Sequence, residues 1–371
     1  MSDLIGHIGI VTSEFPPQPG GIGNHAYNLA KQLKQHDFEV SVIADARSTT
    51  GAEETLFDKT LPFEVHRVWV KNVRLFIYLK RFVLLSRVLR HHDLVIASGK
   101  FSLWSVGFFS LFYKRRYIAV VHGTEVNFQS FLLRFLVDLA LTRFSKIIAV
   151  SSYTKSLLKS KFQQKTTVIP NGFDFANWQR HDEPTSPIKG SPRLITVGNV
   201  TERKGQLQVI RHLPKLIETY PDCHYHCVGI PTNKDLYLQE AYALGVQNHV
   251  TFHGKVAQED LVGLVQASDI FVMLSTETET GDVEGFGIAI IEANALGIPA
   301  IGTRGSGIVD AILDGQSGLL IDGGNGGAFV DGVKTILNDR TEFSKRASKW
   351  ADKHRWEYII RQYVNVIVEG Y

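Results

Sequence analysis

The stretch WQRHDEPTSPIKGSPR, residues 178–193, decides how this chain is divided. It is polar, carries three prolines and interrupts a rhythm that resumes behind it. Upstream run the apolar segments HIGIVTS, VSVIAD, DLVIASG, YIAVVHGTE, KIIAVSS and TTVIPNG, with helical patterns such as HAYNLAKQLKQH and YTKSLLKSKF between them. Downstream come RLITVGN, HYHCVG, VTFHG, DIFVMLS, IPAIGT and GLLID, again separated by helical segments. Continuous apolar strands alternating with helices predict parallel sheets covered by helices on both faces. Two such series predict two doubly wound α/β domains: residues 1–178, a linker over 179–192, residues 193–352, and a last helix over 353–371.

The length of 371 residues supports that division, because one hydrophobic core stops growing at about 250 to 300 residues. An apolar share of 44% with 21% charged residues is that of an ordinary globular protein. The N-terminal MSDLIGHIGIVTSEFPP lacks the basic and long apolar regions of a signal peptide and reads as a first buried strand. The longest mostly apolar run, FSLWSVGFFSLFY, is well short of the ~20 residues that cross a bilayer. Cys223 and Cys227 are the two cysteines, and CHYHC invites a zinc reading. On a strand the two thiols stand ~13 Å apart, too far for one tetrahedral ion. No metal site is expected, and the compartment is expected to be reducing, hence the cytoplasm.

In sheets of this kind ligands bind beyond the carboxyl ends of the strands. In the first such loop, SEFPPQPGGIGNH, Gly20, Gly21 and Gly23 precede a helix expected from near Asn24. Bare amides at a helix N-terminus suit a phosphate or a sugar hydroxyl. Gly21-x-Gly23-x-x-Ala26 also matches a loose dinucleotide fingerprint, with Asp45 as the ribose acid, although roughly nine residues stand where that motif needs a tight turn. A purely structural glycine turn is the third reading. His122, ending YIAVVHGTE with Glu125 close by, is either a group for a substrate hydroxyl or developing charge, or a satisfied structural histidine. Ser151 and Ser152 read as N-caps. GNVTERKGQ sets Arg203 and Lys204 beside Gly205, which suits a leaving diphosphate or else forms a solvated basic turn.

In GDVEGFGIAIIEANALGIPAI, residues 281–301, Glu284 and Glu292 stand eight apart in an apolar, glycine-rich setting. A helix over 286–296 leaves Glu284 in the preceding loop and Glu292 nearly two turns inside. The turn Gly285, Phe286, Gly287 points amides outward at the helix start. A buried carboxylate without a partner costs on the order of several kcal/mol, so Glu292 requires a donor, either ribose hydroxyls or a protein group.

With FPPQPGGIGNHAYNLAKQL, VVHGTE, KIIAVSSYTK, VIPNGFD, VGNVTERKGQ, VTFHGKV, ASDIFVMLS, EGFGIAIIEANALGIPAIGT and Trp356 in this order, the chain resembles the retaining GT-B glycosyltransferases of the large family 4 type. That group includes phosphatidylinositol mannosyltransferases and lipopolysaccharide-core transferases, and Glu284 to Glu292 matches its E-x7-E. The resemblance implies a GT-B fold, two Rossmann-like domains with parallel sheets facing a central cleft. It implies transfer of a hexose from a nucleotide-diphosphate sugar with retention, without cofactor or metal. By position, Glu284 holds donor-sugar hydroxyls and His122 contacts the transferring sugar, the two expected catalytic residues. Arg203 and Lys204 hold the diphosphate, Gly285, Phe286 and Gly287 approach sugar and phosphate through their amides, and Glu292 binds the ribose. Gly254 and Val256 border the base, Gly21 lines the cleft from the first domain as a donor-binding residue, and Gly20, Gly23 and Asn24 line it on the acceptor side. The last helix is expected to cross back onto the first domain. One departure stands out: Asn199 occupies a position where many relatives carry a diphosphate-binding arginine.

The net charge of +3 conceals an asymmetry: residues 1–180 hold 23 basic and 13 acidic side chains, the remainder 17 and 24. KNVRLFIYLKRFVLLSRVLR, residues 71–90, has six cations and no acid, and Lys114, Arg115 and Arg116 follow an aromatic run. Such a patch suits an anionic membrane surface, at ~1 kcal/mol per cation, yet on a helical wheel these cations do not gather on one face. The expected partners are a nucleotide-sugar donor and a lipid-linked or cell-envelope glycan acceptor, with an anionic membrane surface beside them. The expected location is the cytoplasm, peripheral on the inner face of the plasma membrane. A soluble sugar acceptor, a non-catalytic nucleotide-sugar-binding module and a glycosidase built on the two glutamates are the alternatives. Nucleic acid is not expected, since no stacking or groove-reading motif is present. Base, sugar and oligomeric state are not legible.

Overall fold

The computed structural model describes residues 6–48, 50–69, 74–180 and 188–369, the side chains of 74–79 excepted, so residues 181–187 of the expected linker lie outside the described residues. Contacts divide the chain into two compact units, Met1–Gly172 with Trp356–Tyr371, and Phe173–Arg355. The first unit ends ahead of residue 178 because Phe173 donates its N–H to the His354 carbonyl at 2.9 Å and bridges to Arg355.

Among the described residues the first unit holds seven strands: β1 (His7–Thr12), β2 (Glu39–Ala46), β3 (Glu64–Trp69), β4 (Leu94–Ser98), β5 (Arg116–Val121), β6 (Lys146–Ala149) and β7 (Thr166–Val168). They form a parallel sheet in the order β3-β2-β1-β4-β5-β6-β7. β4 is buried at every position, as a strand covered on both faces must be. β3, EVHRVW, was not anticipated as a strand; it is the edge, half-exposed, and its charged residues mask the apolar run. Ile8 pairs with Val40 on one side and Leu94 on the other, so the strand order reverses at β1.

The second unit repeats the plan with β8 (Arg193–Val197), β9 (His224–Val228), β10 (Val250–Gly254), β11 (Ile270–Met273), β12 (Ala300–Thr303) and β13 (Gly318–Ile321), parallel in the order β10-β9-β8-β11-β12-β13. Here the order reverses between β8 and β11. Connections that leave these two strands diverge to opposite sides, which opens a crevice at their carboxyl ends. Each unit has its own core: Val95, Ala119 and Ile147 of the sheet with Leu103 and Val137 of helices in the first, and Leu194, Tyr225 and Val272 with Val209 and Phe329 in the second.

The helix Trp356–Val368 belongs to the first unit. Tyr363 Oη meets His25 Nε2 at 2.8 Å, and Arg116 donates to the Val366 carbonyl at 2.7 Å and to that of Ile367, so a cation satisfies the helix's last carbonyls. Cys223 and Cys227 are free and buried in the second core, their thiols pushed up by burial to about 11 and about 12. The intervening histidines face the other way, His224 to Thr251 Oγ1 at 2.8 Å and His226 to His253 at 3.0 Å. Among the described residues no group of three or more His, Cys, Asp or Glu side chains is placed to hold a metal ion.

Candidate functional site

The second unit brings the acidic and basic motifs together at its strand-order reversal. Arg203 and Lys204 lie on the short 3-10 turn Glu202–Lys204 after β8, and Glu284 lies on the segment after β11. Gly205 makes this possible: at φ +76 it starts the helix Gln206–Thr219, and a Cβ there would overlap the Leu274 carbonyl. Ser275 Oγ donates to the Arg203 carbonyl at 2.6 Å and fastens the turn to the end of β11.

Lys204 Nζ lies 2.7 Å from Glu284 Oε2, and Arg203 Nη1 binds the same oxygen. Arg203 also reaches Asp282 through Nε at 3.1 Å. Glu284 is buried, at 8% exposure. Burial alone would raise its pKa, but Lys204 and then Arg203 outweigh it, and a Gly287 backbone N–H adds a hydrogen bond, so the carboxyl is held below its usual value. In the structure both cations expected to serve a diphosphate are thus turned on Glu284.

The helix expected over 286–296 runs Ile288–Ala295. Gly287 is its N-cap at φ +86, a left-handed conformation that glycine adopts without strain, and its backbone N–H hydrogen-bonds Glu284. Phe286 is buried at 1% exposure, its ring against His354. Gly307 donates its N–H to the Glu284 carbonyl at 2.9 Å and supports the turn from behind.

Glu292, half-buried on that helix, has the donor its burial requires. The Trp178 side chain hydrogen-bonds to it, and indole N–H is a donor only. Burial pushes the Glu292 carboxyl up to about 7, against the pull of Lys204 and the Trp178 bond. Lys204 therefore acts electrostatically on both glutamates. Gly254 ends β10 at φ +72 with open space on its Cβ side, and Val256 is half-buried beyond it. β10 is two strands from β8, roughly 10 Å. Asn199 is exposed; its carbonyl accepts from Gln206 Nε2 at 3.1 Å.

In the first unit the helix expected from Asn24 starts three residues earlier and runs Gly21–Gln35. The Asn24 N–H is already bound to the Gly20 carbonyl at 3.0 Å, so the amides without a carbonyl one turn back are those of residues 21–23. Gly21 is exposed with nothing near its Cβ direction, Gly20 lies under the Glu14 carboxylate, and Gly23 packs on the Glu14–Phe15 backbone. The dinucleotide reading fails: residues 13–20 separate β1 from the helix, and Asp45 is bound to Arg81, Nε to Oδ1 at 2.9 Å.

His122 follows β5. Its Nε2 meets Ser98 Oγ at 2.9 Å, and its backbone N–H donates to Glu125 Oε1 at 2.5 Å. Burial lowers the His122 pKa to about 4, so the ring is neutral near pH 7, and raises that of the buried Glu125 to about 7. His25 stacks edge-on against His122 at 5.1 Å. Ser151 caps the helix Ser152–Ser156 by accepting from the Thr154 N–H, as expected.

Of the basic segment 71–90, residues 71–73 and the side chain of Arg74 lie outside the described residues, and Lys80 and Arg87 are exposed. Arg81 turns inward to Asp45 and lies 4.0 Å over the Phe101 ring, and Arg90 donates to Tyr113 Oη at 3.1 Å. Among the described residues no helix is long and apolar enough to cross a membrane. Reasoning from sequence missed Trp178, Asp282 and His25. Only His25 left a signal, four residues after Gly21 on the apolar face of its helix.

Two family models match in succession: "Glycosyltransferase Family 4" over residues 19–177 and "Glycosyl transferases group 1" over residues 179–354. The chain is similar to the GDP-mannose-dependent alpha-(1-6)-phosphatidylinositol monomannoside mannosyltransferase of Mycolicibacterium smegmatis, 28% identical over 91% of this chain and 90% of that protein. It is also similar to the GDP-mannose-dependent monoacylated alpha-(1-6)-phosphatidylinositol monomannoside mannosyltransferase of Corynebacterium glutamicum, 26% identical over 89% and 88%. In fold it is similar to Anabaena HepE in complex with UDP-glucose, with a TM-score of 0.79 at 21% identity over 98% of this chain and 99% of that one.

Proposed function

Since this chain is a glycosyltransferase of the GT-B superfamily, we propose that it moves a hexose from a nucleotide-diphosphate sugar, with retention at the anomeric carbon, to a hydroxyl of a lipid-linked or cell-envelope glycan. The observation that carries this reading is Lys204, within 2.7 Å of Glu284 and acting on Glu292 as well, with Arg203 on the same Glu284 oxygen.

When donor binds, the diphosphate takes over Arg203 and Lys204, and the released Glu284 carboxylate accepts hydrogen bonds from hydroxyls of the donor sugar. Glu292 accepts from the ribose hydroxyls, the backbone at Gly254 and Val256 borders the base, and the amides of Gly285 to Gly287 approach sugar and phosphate. Preorganised cations and backbone N–H groups stabilise the charge that develops on the leaving diphosphate, so no metal is required. Bond breaking at the anomeric carbon sends the electron pair to the diphosphate. The acceptor hydroxyl attacks from the same face and passes its proton to the departing phosphate oxygen. His122, neutral and oriented by Ser98, hydrogen-bonds the transferring sugar. Gly21 is assigned to donor binding, and Gly20, Gly23 and Asn24 to the acceptor side.

The mannosyltransferase relatives act on phosphatidylinositol-linked mannosides, which supports a lipid-linked acceptor. Their GDP-mannose and the UDP-glucose of the Anabaena protein leave base and sugar open. The opposite shifts of Glu284 and Glu292 also suit the acid and base of a glycosidase. A glycosidase has no use for two cations on its nucleophile. Incubating the protein with a panel of nucleotide sugars in EDTA, and separately with aryl glycosides, decides between them. Slow donor breakdown in EDTA with inert aryl glycosides supports the transferase. Breakdown that requires added magnesium, or aryl glycoside hydrolysis without nucleotide, contradicts it.

A further inference from the structure

The helix Phe131–Leu141 in the first unit is apolar on both sides. Val137, Ala140 and Leu141 face the core, where the helix packs beside Lys100–Phe109. On the other side Phe131, Leu132, Phe135, Leu136 and Leu139 are exposed, Phe131 to 85%. Their spacing places all five on one helical face. Phe112, 65% exposed, lies just beyond the neighbouring helix and against Phe108, itself exposed. A helix whose solvent side is this apolar belongs under cover, and an apolar patch of this kind on a globular protein marks a docking surface.

The charges around it say what covers it. Arg134 on the helix, Arg143 just after it, and Lys114 and Arg115 after Phe112 are all exposed. Residues 94–145 contain two acids, Glu125, which is buried, and Asp138, which is paired with Lys159 at 2.5 Å. A second copy of the chain would bring these cations against themselves with no acid to pair. An anionic bilayer supplies both apolar volume and negative charge.

We propose that the outer face of Phe131–Leu141 docks this protein on an anionic lipid bilayer, its five apolar side chains entering the interface and Arg134, Arg143, Lys114 and Arg115 meeting the headgroups. The helix begins nine residues after His122, at the carboxyl edge of the first sheet, so the docked face adjoins the edge that carries His122. This differs from the cationic segment 71–90 expected from sequence. It goes beyond the donor-site reading and does not rest on it.

The test is sedimentation of the full chain with vesicles of phosphatidylcholine alone or with one third phosphatidylglycerol. The wild type is expected to partition onto the anionic vesicles, and the double variant Phe131→Ser/Phe135→Ser to lose about tenfold of that partition. Arg134→Glu/Arg143→Glu is expected to lose binding to anionic vesicles while keeping the apolar face. Tyr242→Ser, which removes an exposed aromatic of the second unit, is expected to bind like wild type. Thermal unfolding of each variant confirms folding. Wild type that stays in solution with anionic vesicles overturns the proposal, as does a folded Phe131→Ser/Phe135→Ser variant that binds like wild type. A lipid-free dimer that this variant splits into monomers also overturns it, since the face is then a self-interface.

Discussion

Replacing Glu292 by Gln tests the electrostatics of the second unit most sharply. Below about pH 4.5 the carboxyl is protonated in folded and unfolded chains alike, and it contributes no pH dependence. As pH rises, the unfolded chain ionises near 4.5, whereas the folded carboxyl holds its proton to about 7. Folding stability is therefore lost across that window, at about 1.4 kcal/mol per pH unit, to a limit of about 3 kcal/mol above pH 7. Glutamine never ionises, and its carbonyl still accepts the Trp178 N–H. The Glu292→Gln protein is thus expected to match wild type near pH 4 and to exceed it by up to about 3 kcal/mol at pH 8, measured from paired urea unfolding curves followed by tryptophan fluorescence. Binding of a nucleotide sugar reverses the balance, because ribose hydroxyls donate to the ionised carboxylate. Donor affinity is then expected to rise between pH 6 and about pH 7 as Glu292 loses its proton. A stability difference that is the same at pH 4 and pH 8 refutes the assignment of a raised Glu292 pKa.

Two further outcomes follow from single positions. Gly205→Ala meets both a positive φ and the Leu274 carbonyl, so it is expected to cost about 1 to 3 kcal/mol or more and to weaken donor binding by displacing Lys204; a thermal melt with an unchanged midpoint would show that the close approach is absent. His122, held near 4, is expected to keep one neutral ring signal in proton NMR from pH 5.5 to pH 8; titration within that range would contradict its burial.

Most of the fold was legible because parallel strands buried on both faces have to be apolar throughout. DLVIASG and DIFVMLS announce themselves for that reason. β3 was not, since an edge strand with Glu64, His66 and Arg67 has no apolar run to read. The helix bound at Ile288 was misjudged because Gly287 sets it through a left-handed φ, which leaves no trace in hydrophobic pattern, and the bound at Gly21 because Gly21 and Gly23 have no side chains to carry that pattern. At the site, the need for a donor to Glu292 was legible from the cost of burying a charge. That Trp178 supplies it was not, because the two are distant in sequence and meet only through the fold. The pairing of Arg203 and Lys204 with Glu284 was hidden for the same reason. So was the docking face on Phe131–Leu141, whose sequence reads equally well as core.

The central claim is that the second unit binds a nucleotide-diphosphate sugar through Lys204 and the two glutamates. Isothermal titration of uridine, guanosine and adenosine diphosphate sugars into wild type and Lys204→Ala tests it directly. The account predicts that at least one of them binds wild type and that the variant loses about 10- to 100-fold of that affinity, as expected for one charge-assisted contact to phosphate. A panel in which none binds, or in which Lys204→Ala binds the same donor as tightly as wild type, contradicts it.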